Sequence, residues 1–144
     1  GSSGSGGGFT APSVSSRSGL AVQAALAQQG TPYRFATSSP GVGFDCSGLM
    51  LYAFREAGIE LPRISGDQID AATAVDAAVA EPGAFVFYPG HISLYIGDGL
   101  MVHSPNSGNV VEVRAIPERS LRYGDITESQ ANSKALRKSA GDLR

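Results

Sequence analysis

Apolar positions along the chain recur first at helical and then at strand spacing. Leu20, Ala24 and Ala27 fall near a 3.6-residue period in an alanine-rich stretch. That pattern predicts a helix over residues 19–29 with Gly30 as its stop. Thr31-Pro32-Tyr33 predicts an extended exit, because proline disfavours helix in the residue before it. Residues 36–43, with Ser-Ser-Pro and two glycines, read as loop. Leu49, Met50, Ala53, Phe54 and Ala57 then return to i+3/i+4 spacing. They predict a second helix that begins with Asp45 as N-cap, holds Cys46 in its first turn and ends at Gly58. Leu61-Pro62-Arg63 breaks the chain, a short helix is expected over residues 67–73, and Glu81-Pro82-Gly83 is a turn signal.

After that turn the period changes. Residues 84–88, 91–96, 100–104 and 110–116 are short, rich in β-branched and aromatic side chains, and separated by Gly, Pro, Asn or Asp. Helices followed by a strand meander give an α+β domain, with the N-terminal helices packed on an antiparallel sheet. The hairpin at Gly97-Asp98-Gly99 has two readings. A two-residue Asp98-Gly99 turn pairs Leu94 with His103 and puts His91 and His103 on opposite faces. A three-residue loop with Gly99 left-handed pairs Ser93 with His103 and puts both histidines on one face, about 7–8 Å apart at the backbone. The second reading is the expected one, and it leaves Ile92, Leu94 and Ile96 as the core stripe.

Composition bounds the answer further. The 144 residues suit one domain, and 42% hydrophobic content suits a single core. Residues 1–8 hold five of the 19 glycines and read as flexible linker. With the polar stretch 9–18 they give an expected leader over 1–18, a domain over 19–126 and a polar tail over 127–144. No apolar run approaches the roughly 18–20 residues of a membrane helix. No charged start followed by an apolar core marks a signal peptide. Residues 1–116 carry five Arg and nine Asp/Glu, whereas 117–144 carry six basic and four acidic groups. An acidic body argues against a nucleic-acid surface. Asp67, Asp70 and Asp76 read as a solvated helix face, and Arg119, Arg122, Arg137 and Lys138 as a soluble tail with Leu121-Arg122-Tyr123 as an anchor.

The reactive inventory is small: one cysteine, Cys46, and two histidines, His91 and His103. A single cysteine makes no internal disulfide and no multi-thiolate zinc site. A thiol is nucleophilic as thiolate, and the unpaired N–H groups and dipole of a helix N-terminus favour that anion. The alternative is a buried small hydrophobe. The histidines fall twelve positions apart in adjacent expected strands, where the far register makes them a pair. Phe85, Phe87, Tyr88 and Tyr95 read as sheet packing or cleft edge.

These blocks resemble the NlpC/P60 cysteine peptidases. The resemblance is carried by Gly30-Thr31-Pro32-Tyr33, Gly43-Phe44-Asp45-Cys46-Ser47-Gly48-Leu49, and Leu61-Pro62-Arg63-Ile64-Ser65 with Gln68. Pro82-Gly83, His91-Ile92-Ser93-Leu94-Tyr95-Ile96-Gly97 and Met101-Val102-His103-Ser104-Pro105 follow in family order, from about Leu20 to Ile116. The resemblance implies a papain-like α+β core and hydrolysis of peptidoglycan stem peptides, typically between D-glutamate and a diamino acid. It implies Cys46 as nucleophile, His91 as general base and His103 as the residue that orients the base. Tyr33, Asp45, Ser47, Arg63, Ser65 and Gln68 are the implied substrate- or oxyanion-binding set. No metal or other cofactor is expected. The implied partner is the stem peptide, met outside the cell or at the bacterial wall by a monomer.

Three departures stand out. Phe35-Ala36-Thr37 replaces the usual aromatic and two glycines, Ala84 follows Pro82-Gly83 where aspartate is usual, and only Pro89-Gly90 precede His91. Two other readings stay open: a wall-binding module that does not cut, and a thiol amidase or deamidase toxin acting on another amide.

Overall fold

The computed structural model describes residues 17–126; the expected leader up to residue 16 and the expected tail from 127 lie outside the described residues. Helix α1 (Arg17–Leu26) starts two residues before the expected helix and ends three before it. Its last turn unwinds because Gly30, at φ 93°, gives its N–H to the Val111 carbonyl at 2.9 Å. The chain is thereby drawn onto the strand region, and Pro32 bridges to Val110.

Residues expected as loop contain a small hairpin, β1 (Ser38–Ser39) and β2 (Gly43–Phe44). Two-residue strands leave no periodicity to read, so tertiary contacts define them. The hairpin is docked on α2 (Cys46–Glu56): Ser38 Oγ donates to the Gly48 carbonyl at 2.8 Å, and the Asp45 N–H donates to the Thr37 carbonyl at 3.0 Å.

Helix α2 has the expected boundaries because both caps are local. Asp45 is extended and its side chain accepts the Gly48 N–H. At the far end Gly58, at φ 84°, lets the Ile59 N–H reach back to the Phe54 carbonyl at 2.8 Å. Leu49, Met50, Ala53 and Phe54 are fully buried, and Phe54 meets Phe85 of the sheet at 5.2 Å between ring centres. Helix α3 (Ser65–Ala71) begins two residues before the expected position. It leads into β3 (Thr73–Val75) and a 3-10 turn at Ala77–Val79.

The sheet is six-stranded with order β3-β8-β4-β5-β6-β7, every pairing antiparallel. Strands β4 (Phe85–Tyr88), β5 (His91–Gly97), β6 (Leu100–His103) and β7 (Glu112–Ala115) match the expected meander. Strand β8 (Arg122–Asp125) does not: the segment read as a polar tail with an anchor inserts between β3 and β4. Arg-Tyr-Gly-Asp carries no apolar alternation. It is selected by shape instead, since a Cβ on Gly124 would lie 2.7 Å from Ala72 Cβ and 2.9 Å from Ile69 Cδ1. Asp67, Asp70 and Asp76 are all exposed as expected, but only the first two share helix α3, Asp76 lying beyond β3 at the start of the 3-10 turn. Asp70 is paired to Arg122 at 3.6 Å across exposed surface.

The decisive hairpin reaches the expected register by a different route. Leu94 pairs with Val102 and Tyr95 with Met101, which is the Ser93–His103 register. The turn itself is the two-residue one, with Asp98 at φ 57° and Gly99 at φ 73°. A bulge between Tyr95 and Gly97 supplies the extra residue that shifts the register by one. Ile92, Leu94 and Ile96 are buried in the core as expected.

Gly48 sits where the hairpin and α2 touch. A Cβ there would stand 2.2 Å from the Thr37 carbonyl oxygen and 2.8 Å from Asp45 Oδ1, both fixed by backbone bonds or the cap. Gly48→Ala is therefore expected to destabilise the fold by about 1–3 kcal/mol, read as a fall of the thermal midpoint; an unchanged midpoint would show that this contact is slack.

Candidate active site

Asp45 organises the N-terminus of α2. Oδ1 accepts the Gly48 N–H at 2.7 Å and the Ser47 hydroxyl at 3.4 Å, while Oδ2 accepts Arg63 Nη2 at 3.0 Å. Arg63 also donates through Nη1 to Ser47 Oγ at 2.9 Å. Gln68 on α3 lies beneath, its Nε2 donating to the carbonyls of Ser47 at 3.0 Å and Pro62 at 2.8 Å. Leu61-Pro62-Arg63 is thus strapped to the start of α2. Cys46, the first residue of the helix, is half-buried on this platform.

A cleft of about 370 Å³ opens over Cys46. Tyr33, Asp45, Ser47, Arg63 and Ser65 of the expected set line it, together with Phe35, Ala36, Ile64 and Gly90. Gln68 does not reach it. With 0% exposure and its amide nitrogen spent on two backbone carbonyls, Gln68 braces the platform and cannot bind a substrate directly. Ala36, at one of the two positions where the resemblance implies glycine, holds a left-handed backbone at φ 58°, a conformation that costs an L-residue about 1–2 kcal/mol. Phe35 is 83% exposed and Ile64 58%, so the cleft rim is apolar on both sides.

The histidines meet. His91 Nε2 lies 2.8 Å from His103 Nδ1, with the rings edge-on at 78°. His91 is 7% exposed and His103 4%. Tyr88 flanks His91 at 5.5 Å between ring centres, and the Arg119 guanidinium sits 3.7 Å over the Tyr88 ring. Burial, and then the charge of His103, bring the pKa of His91 down to about 4, so the ring is neutral at pH 7. Burial also lowers His103, and Arg114 adds to that, while the bond and charge of Glu112 work against it.

Glu112 was not legible as a site residue. Its Oε2 lies 2.9 Å from His103 Nε2, directly across the β6–β7 ladder. The signal would have been that pairing, but the turns between residues 104 and 111 leave the strand offset undetermined in one dimension.

The thiol also differs from the expectation of a helix-stabilised anion. Burial is the largest influence and pushes the Cys46 pKa up, and the Asp45 carboxylate adds to it. Backbone N–H groups of Ile92, Ser47 and Cys46 itself pull the other way and do not prevail. The Ile92 bond also sets the sulfur against the residue next to His91. Tyr33 is raised by its burial and by Asp45 and Cys46, placing its hydroxyl in the same field.

Helices packed on a six-stranded antiparallel sheet, with a helix N-terminal thiol facing the strand that carries His91, define the class: an α+β domain. The chain belongs to the NlpC/P60 family, which it matches over residues 30–130. It is 48% identical over 99 residues to a Mycobacterium tuberculosis protein named a probable endopeptidase, covering 67% of this chain and 25% of that protein. It is 37% identical over 116 residues to the peptidoglycan endopeptidase RipB of M. tuberculosis, covering 69% and 48%. The solved RipB structure superposes with a TM-score of 0.72 at 32% identity, over 78% of this chain and 65% of that one. RipD of M. tuberculosis, described as a non-catalytic NlpC/p60 protein adapted to peptidoglycan binding, superposes at 0.68 with 28% identity, over 78% and 98%. The chain therefore spans between a quarter and a half of the length of these curated relatives.

The balance of burial over helix N–H groups has a direct readout. Alkylation of Cys46 by iodoacetamide is expected to quicken with pH up to and beyond 9, the ordinary value of a thiol. A rate already level below pH 7 would mean a resting thiolate instead.

Proposed function

We infer that this domain is a peptidoglycan hydrolase that cuts a stem-peptide amide, between D-glutamate and a diamino acid, at the bacterial cell wall. The observation that carries the reading is the 2.8 Å bond between His91 and His103, the former on the strand whose Ile92 N–H faces the sulfur of Cys46. The endopeptidase names of the relatives support the substrate class, and retention of cysteine and both histidines favours cutting over binding alone.

The resting pair is uncharged, since the thiol is raised and His91 is lowered. The proton must then move as the bond forms. The Cys46 sulfur attacks the amide carbonyl while His91 takes the thiol proton, and the backbone N–H of Cys46 meets the developing oxyanion. His91 returns the proton to the departing amine, leaving a thioester, and water attacks the thioester with His91 as base. His103 holds the far nitrogen of His91 throughout. Tyr33, on the cleft wall, contacts the substrate or the oxyanion. Arg63 is already paired with Asp45 and Ser47 and acts by fixing the cleft wall.

A binding module is the second reading, favoured by the likeness to RipD. Mass spectrometry of muropeptides incubated with the purified chain separates the two. Cleavage with one new free amine is expected, absent in Cys46→Ala and in His91→Ala and reduced but measurable in His103→Ala. Intact muropeptides that nevertheless stay bound to the wild-type chain would establish the binding reading, and loss of a different amide would identify another substrate.

A further inference from the structure

Glu112 on β7 is the one acidic side chain bonded to the histidine pair among the described residues, and nothing in the mechanism above uses it. Its Oε2 accepts from His103 Nε2 at 2.9 Å and from Arg114 Nε at 2.9 Å. An ionised carboxylate accepts hydrogen bonds and cannot donate one. His103 Nε2 must then carry a proton. In a neutral ring the other nitrogen, Nδ1, is bare and accepts, so the proton of the 2.8 Å bond belongs to His91 Nε2. That leaves Nδ1 of His91 bare.

We propose that Glu112, held in place by Arg114, is a positioning residue that dictates the protons of both histidines and so leaves His91 Nδ1 free to take the Cys46 proton. The proposal rests on the hydrolase reading. Glu112 touches neither thiol nor cleft; it acts through His103. The direction of the chain of bonds also suits the reaction. When His91 takes the thiol proton its Nε2 still donates to His103, so no bond reverses, and the Glu112 charge lies at the end of the row to steady the new cation. A proton on His103 would undo this. Both of its nitrogens would then donate, His91 Nε2 would have to accept, and His91 would carry its proton on Nδ1, where it is useless as a base. The charged groups facing His103 are Glu112 and Arg114 from β7, with His91 opposite on β5. Glu112 favours that extra proton, while Arg114 and burial oppose it. Arg114 thus both anchors the carboxylate and limits its pull.

Two histidines make the test direct: ¹⁵N-histidine labelling yields two ring systems, whose nitrogen shifts report which atom is protonated. In the wild-type chain at pH 7 both rings are expected as the Nε2–H form. Glu112→Ala is expected to mix the forms and to lower kcat on a stem-peptide substrate by roughly tenfold or more, with KM nearly unchanged. Glu112→Gln, whose amide oxygen can still accept from His103 and Arg114, should restore the Nε2–H form and part of kcat. Arg114→Gln should move the acid limb of kcat/KM to higher pH, as His103 protonates sooner. Nδ1–H on His91 in the wild type, or wild-type tautomers in Glu112→Ala whatever happens to kcat, overturns the proposal. Should Glu112→Ala fail to fold, the wild-type spectrum and Arg114→Gln decide; an unmoved acid limb then counts against it. The spectra need no substrate, so expected tautomers in a chain that cuts nothing would sink the hydrolase reading alone.

Discussion

The carboxylate of Asp45 is the point on which the site is built. It caps α2, fixes the Ser47 hydroxyl and holds Arg63, so one side chain sets the helix start, the cleft wall and the place of the thiol. Its cap alone is worth about 1 kcal/mol. The pairing with Arg63 adds less than its short distance suggests, because the arginine is partly exposed and screened. Its value is geometric. A helix begins where its first N–H groups find partners, and here they find them one residue before Cys46. Gly48 completes the arrangement by letting the Thr37 carbonyl approach the same turn. Gln68, fully buried, locks the layer below.

Against this platform the sheet sets a buried pair of imidazoles. Burial keeps His91 and His103 neutral and the Cys46 thiol protonated, so none of these three groups is charged at rest. The helix N-terminus contributes, but removing the sulfur from water outweighs it. In the proposed reaction charge is created only when the thiol attacks, in surroundings dry enough to make each oriented bond count. The row from His91 to His103 to Glu112 gives that charge a direction, and the bulge in β5 makes the row possible by setting the register.

Much of the fold was legible because its determinants are local. Helix α2 announces itself through Asp45, a 3.6-residue apolar period and Gly58, all within fourteen residues of chain. The meander from β4 to β7 does so through short branched runs and turn residues. Strand β8 and the β1–β2 hairpin did not, since neither carries an apolar alternation; Gly124 and the Thr37 carbonyl place them by close approach to α3 and α2. The site divides in the same way. Cys46, His91 and His103 stood out as scarce reactive groups, and motif order joined them. Gln68 belonged to the same motif yet proved to be a brace, and Glu112 stood in no motif.

The sequence by itself determined the helix that presents the cysteine, the alternation that puts His91 opposite the core stripe, and the reactive groups on hand. These follow from caps, periods and residue chemistry, which act over a few neighbours. Only the tertiary structure decided that His103 faces Glu112, that Arg63 is already engaged and that the thiol is held neutral. Each of those depends on strand offset or on water being excluded, and both are properties of segments brought together from distant parts of the chain.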